Sequence, residues 1–354
     1  MRIAVIGTGG VGGVLAACMT RAGGVVTPIA RDAAVRAALA DDGYRVTDRD
    51  GKPWRVAVSS TPAATLAEAK ARDARPIEAI VVTTQAPALE PVLREAAALI
   101  APGTTVLVCQ NGLPEARAKI AVPQARVLGC VVGWGASMVA PGVFARTSNG
   151  GLQLGDPDGV TARGGLVDAL LPLLAATGPA VLVENFAGVR WSKLAINSVT
   201  STVGAIGGAA LGRLLLHARV RRLALQIFTE VEAVARASGV LLAPVGGTLD
   251  ISSVTLTDAE RRARLLRPSL LGKHLLLLAV GMKFRKMRSS MLYALERGRP
   301  PEIDFLNGEL VRRGEALGVP TPVNRALVER VREIEAGRAR SSIAALLALA
   351  DGLR

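Results

Sequence analysis

Near its start the chain reads Ile3-Ala4-Val5-Ile6-Gly7-Thr8-Gly9-Gly10-Val11-Gly12, and the fold is decided here. Four apolar residues run into a cluster of glycines, and a helix-compatible stretch, Val11–Ala22, follows. That order describes a strand, a tight turn and a helix. In that setting each glycine has its own mechanical role. Gly7 permits the turn, Gly9 lets the backbone approach a pyrophosphate, and Gly12 lets helix and strand pack closely. The helix start leaves N–H groups without intrahelical acceptors, which favours phosphate. Thr8, Gly10 and Val11 lie inside the same turn and are read with it as cofactor contacts.

Working outward, Val25–Ile29, Ala79–Val82, Thr105–Cys109 and Val127–Val132 are short apolar runs of the kind found in buried parallel strands. Helical segments are expected at Ala33–Ala40, Pro87–Ile100 and Pro114–Ile120. This alternation predicts an α/β Rossmann-type doubly wound sheet. Tyr44–Thr47 and Trp54–Val58 read as a small hairpin insertion, and Met138–Val139, Gly142–Thr147 and Leu152–Leu154 as extensions of the sheet at its edge. After about Glu184 the strand signal fades. Phe186–Leu216, interrupted by Gly204 and Gly207–Gly208, then Val220–Ser238, Asp258–Met287, Asp304–Leu317 and Val323–Ala336 predict an all-α second domain. The expected division is 1–184 for an NADP-binding domain, 185–340 for a helical substrate and catalytic domain, and 341–354 for a C-terminal tail. Val245–Thr257 and the residues after Gly337 are expected to be the most mobile.

The end of the second strand bears on the choice of cofactor. An NAD site usually places Asp or Glu there for the ribose hydroxyls. This chain has Ile29-Ala30-Arg31-Asp32. Arg31 offers a permanent planar cation to a 2′-phosphate, which favours NADP(H). Asp32 is either an NAD-like acid or a helix N-cap. Two more strand ends should open into the same crevice, Thr83-Thr84-Gln85 and Cys109-Gln110-Asn111-Gly112. Thr84, Gln85 and Asn111 are therefore cofactor candidates. Asn111 is read either as a ligand of nicotinamide, ribose or substrate, or as a plain Asn-Gly turn.

Bulk properties narrow the classes. The 354 residues are 50% hydrophobic and 20% charged, enough for two ordinary domains without a disulfide framework or a structural metal. Three separated cysteines without a CxxC read as reduced thiols of a cytoplasmic protein. Among the longest uncharged runs, Leu194–Gly212 is too polar and glycine-rich for a membrane span. A net charge of +14 would suit nucleic acid, but the arginines are dispersed and aromatic residues make up 3%. Steering of anionic small molecules is the favoured reading of that charge.

In the second half, Lys193, Asn197 and Ser201 are spaced i, i+4, i+8 and share one helix face. An ammonium, an amide and a hydroxyl among apolar neighbours suit a carbonyl or carboxylate. A snorkelling lysine beside a satisfied asparagine has the same spacing. Farther on, Arg288-Ser289-Ser290-Met291 is followed by Pro300-Pro301-Glu302-Ile303-Asp304 and Asn307-Gly308. The prolines place Glu302 near a helix start, where an acid also complements the dipole. With only His217 and His274 present, both outside these motifs, a histidine acid is not expected.

These motifs occur in order, with Gly318-Val319-Pro320-Thr321-Pro322-Val323-Asn324 after them, and together they resemble the ketopantoate reductase (2-dehydropantoate 2-reductase) family. The resemblance runs from residue 1 to about 330. It implies hydride transfer from NADPH to the 2-keto carbon of 2-dehydropantoate in a cleft between two domains, on the route through pantothenate to coenzyme A. By the same resemblance, Lys193 polarises the carbonyl and supplies the proton, and Glu302 engages the substrate hydroxyl or Lys193. Asn111, Asn197, Ser201 and Ser290 are the substrate-binding candidates. The chain departs from the family pattern at Gln85, where a lysine is common, at Ser201 in place of an asparagine, and at Ala294 in place of an aspartate. Two alternatives stay open: a relative acting on another 2-keto acid or a keto-acid-derived imine, and a non-catalytic NADP-binding sensor. No metal, membrane or nucleic-acid partner is expected, and the long helices make a homodimer plausible.

Overall fold

A computed structural model of the chain describes residues 1–159, 164–262 and 267–353. Its strands are β1 (Arg2–Ile6), β2 (Val25–Ile29), β3 (Tyr44–Thr47), β4 (Pro53–Val56), β5 (Ala79–Val82), β6 (Thr105–Val108), β7 (Arg126–Val132), β8 (Ala136–Ala140), β9 (Val143–Arg146), β10 (Leu152–Gly155) and β11 (Ala180–Leu182). Seven of them form one sheet in the order β11-β10-β7-β6-β5-β1-β2. The pairs from β2 to β7 are parallel, with Ile3 beside both Val26 and Ala79. The chain passes from β1 outward to β2 and then returns across β1 to β5. This reversal opens a crevice beyond the carboxyl ends of β1 and β5.

Alternate residues of these strands feed two cores. Ile3, Val5, Val81 and Leu107 face α1 (Gly10–Arg21) and a later helix, Leu166–Ala175. Ala4, Ile6, Ile80, Val82, Val106 and Val108 form the other core with residues of three helices. Burial on both faces explains why the strands read as continuous apolar runs. The helices in chain order are α1, α2 (Ala33–Asp42), α3 (Leu66–Arg72), α4 (Leu89–Ala96), α5 (Glu115–Ala121) and α6 (Leu166–Ala175). Elements α3, α6 and β11 lie outside the expected segments. For α3 a signal was present: Thr65 accepts from the Glu68 N–H at 3.1 Å, and Glu68 accepts from the Ala64 N–H at 2.6 Å.

The expected edge extension is corrected. Only β10 joins the main sheet, antiparallel to β7. The pair β8–β9 joins the β3–β4 hairpin in a second sheet, ordered β4-β3-β9-β8. Fully buried Tyr44 and Phe144, with ring centroids 6.3 Å apart, are the reason. The Phe144 ring occupies the space that a side chain on Gly13 of α1 would fill. Strand alternation alone does not say which sheet a strand will join.

The second half contains α7 (Phe186–Gly207), α8 (Leu211–Leu215), α9 (Ala218–Ala237), α10 (Asp258–Arg261), α11 (Pro268–Lys283), α12 (Ser290–Glu296), α13 (Asn307–Leu317), α14 (Pro322–Glu335) and α15 (Ile343–Gly352). In α9, Val220, Leu223, Ala224, Ile227, Phe228, Val231, Val234 and Ala235 line one buried stripe at helical spacing. Gly204 does not interrupt α7 as expected. A Cβ there would lie 2.6 Å from the Ser289 Cβ, so the glycine lets another segment approach the helix. The expected helix Asp258–Met287 is two helices, and the second starts at Pro268, where a missing N–H costs nothing. Residues 263–266 of that expectation lie outside the described residues.

Residues 341–354 were expected to be a mobile tail. Instead α15 buries Leu346 and Ala350 in the helical core, and the Ser342 N–H donates to the Ile206 carbonyl at 2.9 Å. The Val245–Thr257 stretch is anchored as well. Ile251, Val254 and Leu256 are buried, and the Leu256 N–H donates to Thr229 Oγ1 at 2.8 Å. The chain divides into two units: Met1–Gln110, Pro114–Ala187 and Val245–Gly247, then Asn111–Leu113, Gly188–Pro244 and Thr248–Arg354. Among the described residues, no helix is long and apolar enough to cross a membrane, and no cluster of His, Cys, Asp and Glu could hold a metal ion.

Candidate active site

The glycine loop joins β1 to α1, and four of its glycines are needed for different reasons. At Gly7, φ is +97°, and a Cβ would lie 2.6 Å from the Thr84 backbone nitrogen. At Gly12 a Cβ would lie 2.3 Å from both the Gly7 carbonyl oxygen and Thr83 Oγ1. Thr83 Oγ1 donates to Gly7 O at 2.8 Å, and Thr8 Oγ1 donates to Ile29 O at 3.1 Å, which pins the loop to its neighbours. Gly10 makes room for β8, since its Cβ would lie 2.5 Å from Ala136 O. Gly9 has no such internal reason. Its φ is −85°, and among the described residues no packing neighbour lies within 4 Å of a Cβ built there. What its missing side chain leaves open is access to the start of α1, the approach that a pyrophosphate needs.

A cleft of about 380 Å³ opens there, within the sheet unit. Of the cofactor candidates, Gly7, Thr8, Gly9, Arg31, Thr84 and Gln85 line it. Gly10, Val11, Gly12 and Asn111 are not among its walls. Leu66, Val92 and Leu99 give it an apolar side suited to a flat ring. Asp32 caps α2, its Oδ1 accepting from the Ala34 N–H at 2.8 Å. Arg31 is exposed, and its Nη2 lies 3.3 Å from Glu95 Oε2 across the cleft. Leu66 and Glu95 also line the cleft and lie outside the segments expected to face the crevice. Thr83, in the strand end expected to open there, lines it too, whereas the place of Glu95 depends on the rotational phase of α4.

The second cluster lies in the helical unit. Asn197 is buried on α7, and its Nδ2 donates to Asn111 Oδ1 at 2.9 Å. The turn carrying Asn111 seats closely: Gly112 has φ +86°, and a Cβ there would lie 2.2 Å from Phe305 O. Phe305 ends the 3-10 turn that the half-buried Glu302 opens after Pro301. One turn before Asn197, Lys193 is half-buried. Burial, assisted by the Arg190 guanidinium, lowers the pKa of its ammonium. Its side chain makes no hydrogen bond or ion pair with the described residues.

Ser201 is buried on the same face, and its carbonyl accepts from Ser289 Oγ at 2.6 Å. Ser289 also caps α12, accepting from the Leu292 N–H at 3.1 Å. Ser290, the serine singled out from sequence, is exposed at the first position of that helix. Behind the face, Thr202 Oγ1 donates to Asn307 Oδ1 at 2.6 Å, and Asn307 Nδ2 donates to Asn324 Oδ1 at 2.8 Å. Asn324 Nδ2 in turn donates to Glu230 Oε2 at 2.6 Å. Burial raises the Glu230 carboxyl pKa against the pull of these bonds. This network ties α7 to α13, α14 and α9 and so fixes the rotation that sets Lys193 and Asn197.

A doubly wound sheet with a glycine loop at its switch point, followed by a helical unit that carries the half-buried Lys193, defines a Rossmann-type oxidoreductase. The family model described as ketopantoate reductase PanE/ApbA matches residues 3–159, and its C-terminal counterpart matches 185–335. The chain belongs to the ketopantoate reductase family. A 2-dehydropantoate 2-reductase of Mesorhizobium japonicum is 27% identical, with 96% of this chain and 99% of the relative covered. The crystal structure of a ketopantoate reductase from Ralstonia eutropha JMP134 matches with a TM-score of 0.77 at 26% identity, covering 96% of this chain and 99% of that one. D-mandelate dehydrogenase, in a ternary structure with NADH and anilino(oxo)acetate, shares the fold with a TM-score of 0.76 at 21% identity, over 95% and 99% of the chains.

Proposed function

We propose that this chain is a cytoplasmic NADPH-dependent reductase that converts 2-dehydropantoate to (R)-pantoate, on the route through pantothenate to coenzyme A. The observation that carries the chemistry is Lys193, a half-buried ammonium with a lowered pKa and no hydrogen-bond or ion-pair partner among the described residues, one turn from an asparagine pair. When bound, the nicotinamide supplies the hydride to the carbonyl carbon. Lys193 donates a hydrogen bond to the carbonyl oxygen, stabilises the charge growing there and gives up its proton to the alkoxide. A lowered pKa makes that proton easier to transfer. The Asn197–Asn111 bond uses one donor and one acceptor. It leaves Asn111 Nδ2 to donate to substrate and Asn197 Oδ1 to accept from a hydroxyl. Glu302 accepts from the substrate hydroxyl, and the Ser201 and Ser290 hydroxyls serve the carboxylate.

For the cofactor, Gly7, Thr8 and Gly9 with the start of α1 (Gly10, Val11, Gly12) receive the pyrophosphate. Arg31 receives the 2′-phosphate, while the capping role of Asp32 supports NADPH over NADH. Thr84 and Gln85 border the cofactor on the β5 side. A second reading, reduction of another 2-keto acid or of an imine derived from one, is favoured by Gln85 on the cleft wall in place of a lysine. Following NADPH absorbance with 2-dehydropantoate and a panel of 2-keto acids, with and without ammonia, separates the readings. Fast oxidation with 2-dehydropantoate supports the first reading, and oxidation only with another acid transfers the assignment to the second. NADPH binding with no turnover anywhere would leave a sensor.

A further inference from the structure

Arg31 is the only basic side chain lining the cleft among the described residues. The neighbouring Arg36 is already committed, its Nη1 donating to the carbonyls of Ala30 at 2.7 Å and Arg31 at 2.6 Å. Arg36 therefore steadies the backbone that carries Arg31 and leaves the Arg31 guanidinium to meet a ligand. Yet that guanidinium already faces a carboxylate. Glu95 reaches it from α4, on the wall opposite the end of β2, with Nη2 and Oε2 3.3 Å apart.

The pair is too weak to be a structural staple. Both side chains are mostly exposed, at 68% and 52%, and a single contact joins them. Exposed pairs of this kind hold loosely. Their position in the cleft gives them another consequence. A 2′-phosphate needs the fork of Arg31, one arm of which meets Glu95, and the carboxylate then stands beside a second anion. A 2′-hydroxyl meets neither obstacle, and a carboxylate can accept its hydrogen bond.

We propose that Glu95 sets the NADPH-to-NADH preference by competing with the 2′-phosphate for Arg31. The proposal rests on the reading that Arg31 receives that phosphate. Glu95 is a positioning residue here: it acts through Arg31, and replacing its charge moves discrimination between the two cofactors without altering the reaction chemistry.

The test is binding of NADPH and NADH, by cofactor fluorescence or calorimetry, to the full chain and to Glu95→Gln, Arg31→Ala and the double variant. Glu95→Gln keeps shape and removes charge. It should tighten NADPH by about two- to fivefold and change NADH by less than about twofold. High salt should shrink the gain. In the Arg31→Ala background the part that comes from competition should fall away, leaving only the repulsion between carboxylate and phosphate. If Glu95→Gln leaves the ratio of the two dissociation constants unchanged while Arg31→Ala still separates them, the role of Glu95 is overturned and the 2′-phosphate reading stands. If Arg31→Ala weakens both cofactors equally, the 2′-phosphate reading is lost, and the role of Glu95 goes with it.

Discussion

The cleft beside the glycine loop and the polar face of α7 hold their geometry by different means. In the cleft, backbone does most of the work. Gly7 and Gly12 bring one loop within van der Waals contact of another, and Thr83 and Thr8 pin carbonyl groups. On α7, side chains hold side chains: Asn111 to Asn197, Thr202 to Asn307, and Asn324 to Glu230. A backbone site tolerates almost no added atoms, whereas a side-chain site depends on donors and acceptors being matched. The first kind suits a ligand whose phosphates are constant. The second rests on a buried network, so a change at one member is passed to the others.

That contrast is sharpest for Lys193. Lys193→Ala should lower turnover by about 100- to 10,000-fold while NADPH binding survives, measured by steady-state rates and cofactor fluorescence. Turnover near the native rate would remove the helical unit's claim to the chemistry. Two glycines test the other side. Gly12→Ala forces a Cβ to 2.3 Å from backbone and should lower the Tm by several degrees, a loss of about 1–3 kcal/mol. Gly9→Ala should leave the Tm nearly unchanged and weaken NADPH binding about tenfold or more. An equal loss of stability in both would show that Gly9 serves packing as well.

The smallest effect is one of pH. The Lys193 ammonium is depressed below its ordinary 10.5, so its protonated form is present at low pH and is lost as pH rises through the lowered value. The rate of keto-acid reduction should therefore fall on the alkaline side at a pH below the usual lysine range. The limb should vanish from the residual rate of Lys193→Ala. A limb at or above the ordinary value would mean that the proton comes from elsewhere.

The same contrast governs what could be read from sequence. The parallel strands were legible because burial on both faces makes them apolar throughout, as in Ala79–Val82. The glycine loop was legible because only glycine meets those clearances. The β8–β9 pair was placed in the wrong sheet because its partner is set by Tyr44 and Phe144, a hundred residues of chain apart. On α7, spacing put Lys193, Asn197 and Ser201 on one face. The bond from Asn197 to Asn111, 86 residues away, is a tertiary fact that no local pattern encodes. Ser289 and Ser290 show the limit at its finest. One serine caps and is buried, its neighbour is exposed, and one residue of helix phase decides between them.

The docking of α15 has a mechanical consequence for the polar face of α7. The Ser342 N–H holds the last turn of α7 through the Ile206 carbonyl, Gln226 on α9 donates to the Leu353 carbonyl at 2.9 Å, and Arg219 pairs with Asp351. The final helix thus acts as a doorstop. It keeps the far end of α7 from turning about its own axis, and a rotation there would be carried along a single rigid rod to Asn197 and Lys193. Residues with no chemistry of their own, at the far end of the sequence, share in aiming an ammonium more than 140 residues upstream.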